Sequence, residues 1–201
     1  LINKGMSLAA FKAIFWWEYA HRLLGRLIGL VFAIPLLIFW IKRTIPDDYG
    51  IRLSLILMLG GLQGGVGWWM VASGLVDRTD VSHYRLAAHL SLALALLCAC
   101  QWTALDLLRG RPHEAGCGWR LGWLTLAALA LQIVLGAFVA GLDAGFMFND
   151  WPQMMANEWM PPVVWERHPW WHNLLENPAG VQFAHRCGAW LVAGLALTLA
   201  L

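Results

Sequence analysis

Three histidines stand out because each lies near the start of a long apolar segment, where an ionisable side chain is costly. They are His21, His89 and His185. Ionisable residues inside membrane segments are rare and usually functional, although a single polar residue can simply bridge two helices. Two of the three lie in near-repeats of each other, EYAHR (18–22) and QFAHR (182–186). This repetition favours a shared role as ligands over three unrelated structural contacts.

Small residues follow each histidine on the same helix face. They are Gly25 and Gly29 after His21, Ala93 after His89, and Gly188 and Ala189 after His185. Such a face leaves room for a flat macrocycle, and the alternative is close helix packing of the GxxxG kind. Paired histidines on facing helices hold a porphyrin iron without a covalent link, whereas zinc needs three or four convergent ligands. The pattern therefore predicts heme.

Arginine accompanies every one of these histidines, as Arg22, Arg26, Arg85 and Arg186. A guanidinium binds a carboxylate through two parallel hydrogen bonds, so these residues are candidates for the two heme propionates. The alternative is that the guanidinium groups extend to the lipid headgroups at the membrane surface.

Glu18 is the candidate catalytic residue. It lies three residues before His21, on the same helix face, where a carboxylate could act as a general base at the edge of a bound heme. Its alternatives are an ion pair with Arg22 or a charge near the helix N-terminus. The second copy of the motif has Gln182 at this position, which predicts one catalytic heme site and one that only carries electrons.

The elements that position these residues are membrane helices. Of the 201 residues 60% are apolar and 13% are charged, and the mean hydropathy is +0.59. Apolar runs of about 20 residues, enough to cross a bilayer, occur at 23–41, 53–75, 84–108, 121–142 and 181–201. The fold class predicted is an all-α integral membrane protein, a polytopic bundle with five transmembrane helices in this chain.

The distribution of charge predicts the orientation. Basic residues flank the connections after the first and third spans, which places both on the cytoplasmic or matrix side. The connection 143–180 is acidic and rich in Trp and Pro, so we expect a folded outer loop and all three histidines within about 10 Å of the outer plane. Four further histidines are interpreted as loop residues and not iron ligands: His83, His113, His168 and His172. The net charge of +2 is scattered, and no basic stripe suggests nucleic acid.

Five stretches together resemble the heme A synthase family, particularly its alphaproteobacterial and mitochondrial branch. They are FKAIFWWEYAHRLLGR (11–26), QGGVGWWMVASGL (63–75), VSHYRLAAHL (81–90), QIVLGAFVAGLDAGFMFNDWPQM (132–154) and ENPAGVQFAHR (176–186). The resemblance implies eight helices in two pseudo-symmetric four-helix halves. Residues 1–108 would be most of the first, substrate-heme half, and 109–201 the start of the second, cofactor-heme half. The chain is then expected to be a fragment covering helices two to six.

The resemblance also implies the roles of the site residues. His21 and His89 match the ligands of the substrate heme O, and His185 matches one ligand of a heme b cofactor whose other ligand is expected beyond Leu201. Glu18 matches an acidic residue important for activity. The reaction implied is oxidation of a ring methyl of heme O to a formyl group, which gives heme A, by an oxidoreductase with water as the oxygen source.

Location and partners follow from the same resemblance. A multi-pass protein of the bacterial inner membrane, or of the mitochondrial inner membrane, is expected, in contact with lipid. Heme O synthase, cytochrome oxidase assembly factors and a second copy of the chain are the expected protein partners.

Two other functions fit histidine-ligated membrane heme. One is a cytochrome b electron carrier, which would need hemes at two depths to conduct across the bilayer, whereas the three histidines are expected at one depth. The other is a heme transporter or chaperone, which would bind heme O without changing it.

Overall fold

The computed structural model describes residues 5–72, 81–110 and 118–201, and most of these residues are helical. The helices are α1 (Leu8–Ile41), α2 (Tyr49–Ala72), α3 (His83–Arg109), α4 (Trp119–Gly141), the short α5 (His172–Leu175) and α6 (Pro178–Ala200). All but α5 are long and apolar enough to cross a membrane. Within the described ranges there is no β-strand, and a single antiparallel bridge joins Met155 to Glu158. The prediction of a five-span helical membrane protein is confirmed.

Helix α1 begins at Leu8, well before the predicted start at residue 23. Neither Gly nor Pro interrupts residues 8–24, and the Ser7 hydroxyl caps the helix by accepting a hydrogen bond from the Ala10 N–H at 3.2 Å. Glu18 and His21 therefore lie inside the helix. His21 is 13 residues from Leu8, or about 20 Å along the axis. The expectation that it lies within the first two turns was wrong.

The other four long helices start within four residues of their predicted positions. His89 is six residues into α3 and His185 seven residues into α6, so both lie about two turns from the helix start, as expected. The predicted end of the second span, residue 75, lies outside the described residues.

The described chain forms two compact units. The first contains α1, α2 and Leu92–Ala104 of α3. In it α1 packs against α2, and Leu36 and Ile56 are buried. Most of the apolar side chains of α1 are exposed, as expected for a helix whose neighbours are lipid or other membrane helices.

The second unit contains the start of α3 through Ser91 and the chain from Leu105 onward. Its centre is the packing of α4 against α6, where Ala137, Phe138 and Val181 form a core with Ala87 of α3. The sequence predicted a division into two heme-binding helix bundles, 1–108 and 109–201. That division stays a prediction.

The connection between α4 and α6 is folded, as the sequence predicted. Met154 and Val164 are buried against Ala179 of α6. Two buried asparagines organise the backbone around them. The Asn173 amide donates to the carbonyl oxygens of Arg167 (2.8 Å) and Trp170 (3.0 Å), and the Asn177 amide donates to that of Val163 (2.8 Å). Because buried backbone carbonyls need partners, these amides fix the loop conformation.

The tryptophans of this connection are largely on its surface. Trp151, Trp159 and Trp170 are each more than 60% exposed. Large amphipathic rings in such a position are typical of the membrane–water interface.

Gly180 allows the folded connection to approach α6. A Cβ at this position would overlap the Asn173 carbonyl oxygen, whereas a Cβ at Gly194 on the same helix would meet no described atom within 4 Å. We expect Gly180→Ala to destabilise the protein by about 1–3 kcal/mol through overpacking. Thermal unfolding in detergent measures this, with Gly194→Ala as the control. Equal midpoints for the two variants would contradict the proposed close approach.

Candidate functional site

Glu18 and Arg22 form an ion pair on the surface of α1. The Arg22 Nη1 atom donates to Glu18 Oε2 at 3.2 Å, and the side chains are 45% and 58% exposed, respectively. The ion pair considered from the spacing is therefore present. An exposed pair of this kind contributes at most about 1 kcal/mol to stability, so it holds the carboxylate only loosely. Glu18 remains accessible to a ligand beside His21.

The face of α1 that follows His21 is open. His21 and Arg26 are exposed, and a Cβ added to Gly25 or Gly29 would meet no described atom within 4 Å. Neither glycine is therefore used for close packing against another described element. The described residues leave open space next to an accessible imidazole, and the heme site expected there stays a prediction.

His89 and Arg85 lie one turn apart on α3 and are both half-buried. They belong to the second compact unit, whereas His21 belongs to the first. The pairing of His21 with His89 on one iron thus stays a prediction.

His185 is held against α4 by Gln132. The Gln132 Nε2 atom lies 3.0 Å from His185 Nδ1 and donates to the His185 carbonyl oxygen at 2.9 Å. The other ring nitrogen, Nε2, takes part in no hydrogen bond with the described residues. A histidine that binds metal through one ring nitrogen is usually fixed by a hydrogen bond at the other, so a ring fixed at Nδ1 fits a heme iron at Nε2 once its hydrogen lies on Nδ1.

Two glycines make this contact possible. A Cβ at Gly136 would lie 3.1 Å from His185 Cε1, and a Cβ at Gly188 would overlap Gln132 Oε1. The expectation that Gly188 leaves room for a macrocycle was therefore wrong. Gly188 instead allows Gln132 to reach α6.

Arg186 binds the outer loop. Its Nη1 donates to the carbonyl oxygens of Asp150 (2.8 Å) and Gln153 (3.0 Å), and its Nη2 donates to that of Phe148 (2.8 Å). Gln182 donates to the same Phe148 oxygen at 2.8 Å. These three bonds use three of the five guanidinium N–H groups and leave two for a propionate.

His83 was interpreted as a loop residue, but it is the first residue of α3 and only 2% exposed. Its ring packs edge-on against Phe138 at 5.1 Å between centroids, and its Cα and Cβ lie against Gly141. Its Nε2 lies 3.9 Å from Glu176 Oε2, and the Tyr84 hydroxyl donates to the same carboxylate. The burial of His83 at the start of α3 was not predicted, because residues 81–85 are mostly polar.

Three other histidines were predicted to lie in loops. His168 does lie in a loop, whereas His172 begins the four-residue α5. His113 lies outside the described residues. Gln132 is the site residue that the sequence interpretation did not single out. Its signal was available, because it is an amide in the middle of an apolar span.

Comparison with known proteins identifies relatives of the whole chain. Residues 1–201 match the model of the cytochrome oxidase assembly protein family, COX15-CtaA. Proteins named heme A synthase are 52% identical in Mesorhizobium japonicum, 50% in Parvibaculum lavamentivorans and 51% in Agrobacterium fabrum. The alignments cover 98%, 96% and 94% of this chain but 54%, 56% and 52% of those relatives. The chain thus spans about half their length. No solved structure matches it.

The Arg186 contacts predict a role in holding the outer loop. Arg186→Lys keeps the charge but loses the guanidinium fork, so we expect the segment around Phe148–Gln153 to be cleaved several-fold faster in limited proteolysis. Arg167→Lys is the control, because the exposed Arg167 side chain lies in the same loop and makes none of these contacts. If both variants were cleaved at the wild-type rate, Arg186 would not hold the loop.

Proposed function

Because this chain belongs to the cytochrome oxidase assembly protein family, we propose that it is part of a heme A synthase. The observation that carries the proposal is the identity of about half its residues with proteins of that name, over nearly the whole chain. The activity proposed is oxidation of one ring methyl group of heme O to the formyl group of heme A. The enzyme is then an oxidoreductase and a multi-pass protein of the bacterial inner membrane. Its product, heme A, is used in cytochrome oxidase assembly.

The substrate site proposed is the open face of α1. His21 and His89 bind the iron of heme O, and the space beside Gly25 and Gly29 receives the macrocycle. With both axial positions taken by imidazole, the iron has no free position for dioxygen, so the ring edge is where the reaction occurs. Water is the oxygen source in this scheme.

Glu18 is proposed to take the proton from the attacking water. It lies one turn from His21, and its carboxylate stays exposed in the ion pair with Arg22. Conversion of a methyl group and one water into a formyl group releases four protons and four electrons. Glu18 accepts the first of these protons. Transfer of that proton to the outer aqueous phase restores the carboxylate.

The cofactor site proposed is at His185. Nε2 of His185 would hold the iron of heme b, and the two remaining N–H groups of Arg186 would hold a propionate. Heme b, when bound, supplies one-electron redox chemistry for removal of electrons from the substrate. We also propose that propionates are bound by Arg22, Arg26 and Arg85, because these residues lie close in sequence to His21 and His89.

The partners are proposed from the similarity to heme A synthases. Heme O is very apolar, so its transfer from heme O synthase and the delivery of heme A to oxidase assembly factors are expected within the lipid bilayer. Association with a second copy of the chain remains part of this proposal.

Glu18→Gln tests the catalytic role. We expect the full-length variant, expressed in a host that makes heme O, to bind heme O but to form at least 100-fold less heme A, since a general base contributes about 10²–10⁴ to rate. Mass spectrometry of the extracted hemes gives both amounts. Glu166→Gln, an exposed carboxylate of the outer loop, is the control.

Three results would count against this scheme. Full heme A formation by Glu18→Gln would remove Glu18 from the reaction. Heme b bound with heme O unchanged in the wild-type protein would favour an electron carrier. Heme O bound but never oxidised would favour a transporter or chaperone.

A further inference from the structure

The hydrogen bonds between Gln132 and His185 define which ring nitrogen carries hydrogen. The Gln132 NH₂ group only donates, so Nδ1, 3.0 Å away, is an acceptor and the neutral ring carries its hydrogen on Nε2. The second amide hydrogen is used by the His185 carbonyl oxygen at 2.9 Å. In this state Nε2 has no lone pair in the ring plane to offer a metal.

Iron binding requires the opposite arrangement. A histidine that binds metal through Nε2 carries its hydrogen on Nδ1 and donates it to an acceptor oxygen, which fixes the ring and makes it a stronger ligand. Gln132 has such an oxygen at the contact. Its Oε1 is buried next to Gly188 and has no hydrogen-bond partner within the described residues. This oxygen is therefore available to accept a hydrogen bond from the ring.

We propose that Gln132 is the positioning residue of His185, with its amide turning so that Oε1 accepts from Nδ1–H when Nε2 binds iron. A turn of about 180° about the last side-chain torsion exchanges the oxygen and nitrogen positions, and this torsion is broad. The His185 carbonyl loses the amide donor but keeps its helical N–H partner in α6. This inference rests on the proposed function, in which His185 binds heme b.

The surrounding packing supports a dedicated role. Gly136 and Gly188 are the places on α4 and α6 where a Cβ would strike His185 or Gln132. Both glycines thus lie directly against this one side-chain contact. Helices α4 and α6 therefore come close at His185 and Gln132 as well as at their apolar core.

Heme affinity and redox potential test the proposal in the purified full-length protein. Gln132→Leu removes the acceptor, so we expect heme b to bind about 10- to 100-fold more weakly and its midpoint potential to rise. Gln132→Glu offers only acceptor oxygens, so we expect heme b to be retained with a midpoint potential below the wild-type value. Gln101→Leu, at an exposed amide on α3, is the matched control and should change neither quantity.

The outcomes separate this inference from the function on which it depends. If His185→Ala kept its full heme b content, His185 would not be the ligand and the cofactor assignment would fail with it. If His185→Ala lost heme b while both Gln132 variants matched Gln101→Leu, only the role of Gln132 would be overturned. Should Gln132→Leu aggregate in size-exclusion chromatography, the Glu variant decides, and an unchanged potential there would refute the proposal.

Discussion

The packing of α4 against α6 brings together one polar pair, joined by the two hydrogen bonds from the Gln132 amide to His185. In hydrocarbon a polar side chain without a partner costs several kcal/mol, so an amide and an imidazole on adjacent spans must meet. Glycine at positions 136 and 188 removes the atoms that would keep them apart. The imidazole is consequently fixed at Nδ1, and Nε2 makes no hydrogen bond with the described residues.

The two related motifs use their polar residues differently. In QFAHR, Gln182 and Arg186 both donate to the Phe148 carbonyl oxygen and hold the folded connection over α6. In EYAHR, Glu18 and Arg22 bind each other on an exposed helix face. The same spacing thus gives a motif on α6 that is bound to the folded connection and a motif on α1 that is exposed among the described residues.

Much of the architecture could be predicted because hydropathy and length determine membrane spans. The start of α1 could not, since residues 8–22 contain charged and aromatic side chains and continue as helix only through the Ser7 cap and the absence of Gly and Pro. The burial of His83 and the packing role of Gly188 depend on which helix lies opposite, and hydropathy does not contain that information. The amide of Gln132 within an apolar span was visible in the sequence, but its partner, 53 residues away, was not.

The central claim is that the two histidine motifs bind two different hemes. Its most direct test is the heme content of full-length His21→Ala and His185→Ala proteins purified from a host that makes heme O and heme b, measured by mass spectrometry. We expect His21→Ala to lose heme O and keep heme b, and His185→Ala to lose heme b. Loss of the same heme from both variants, or of neither, would contradict it.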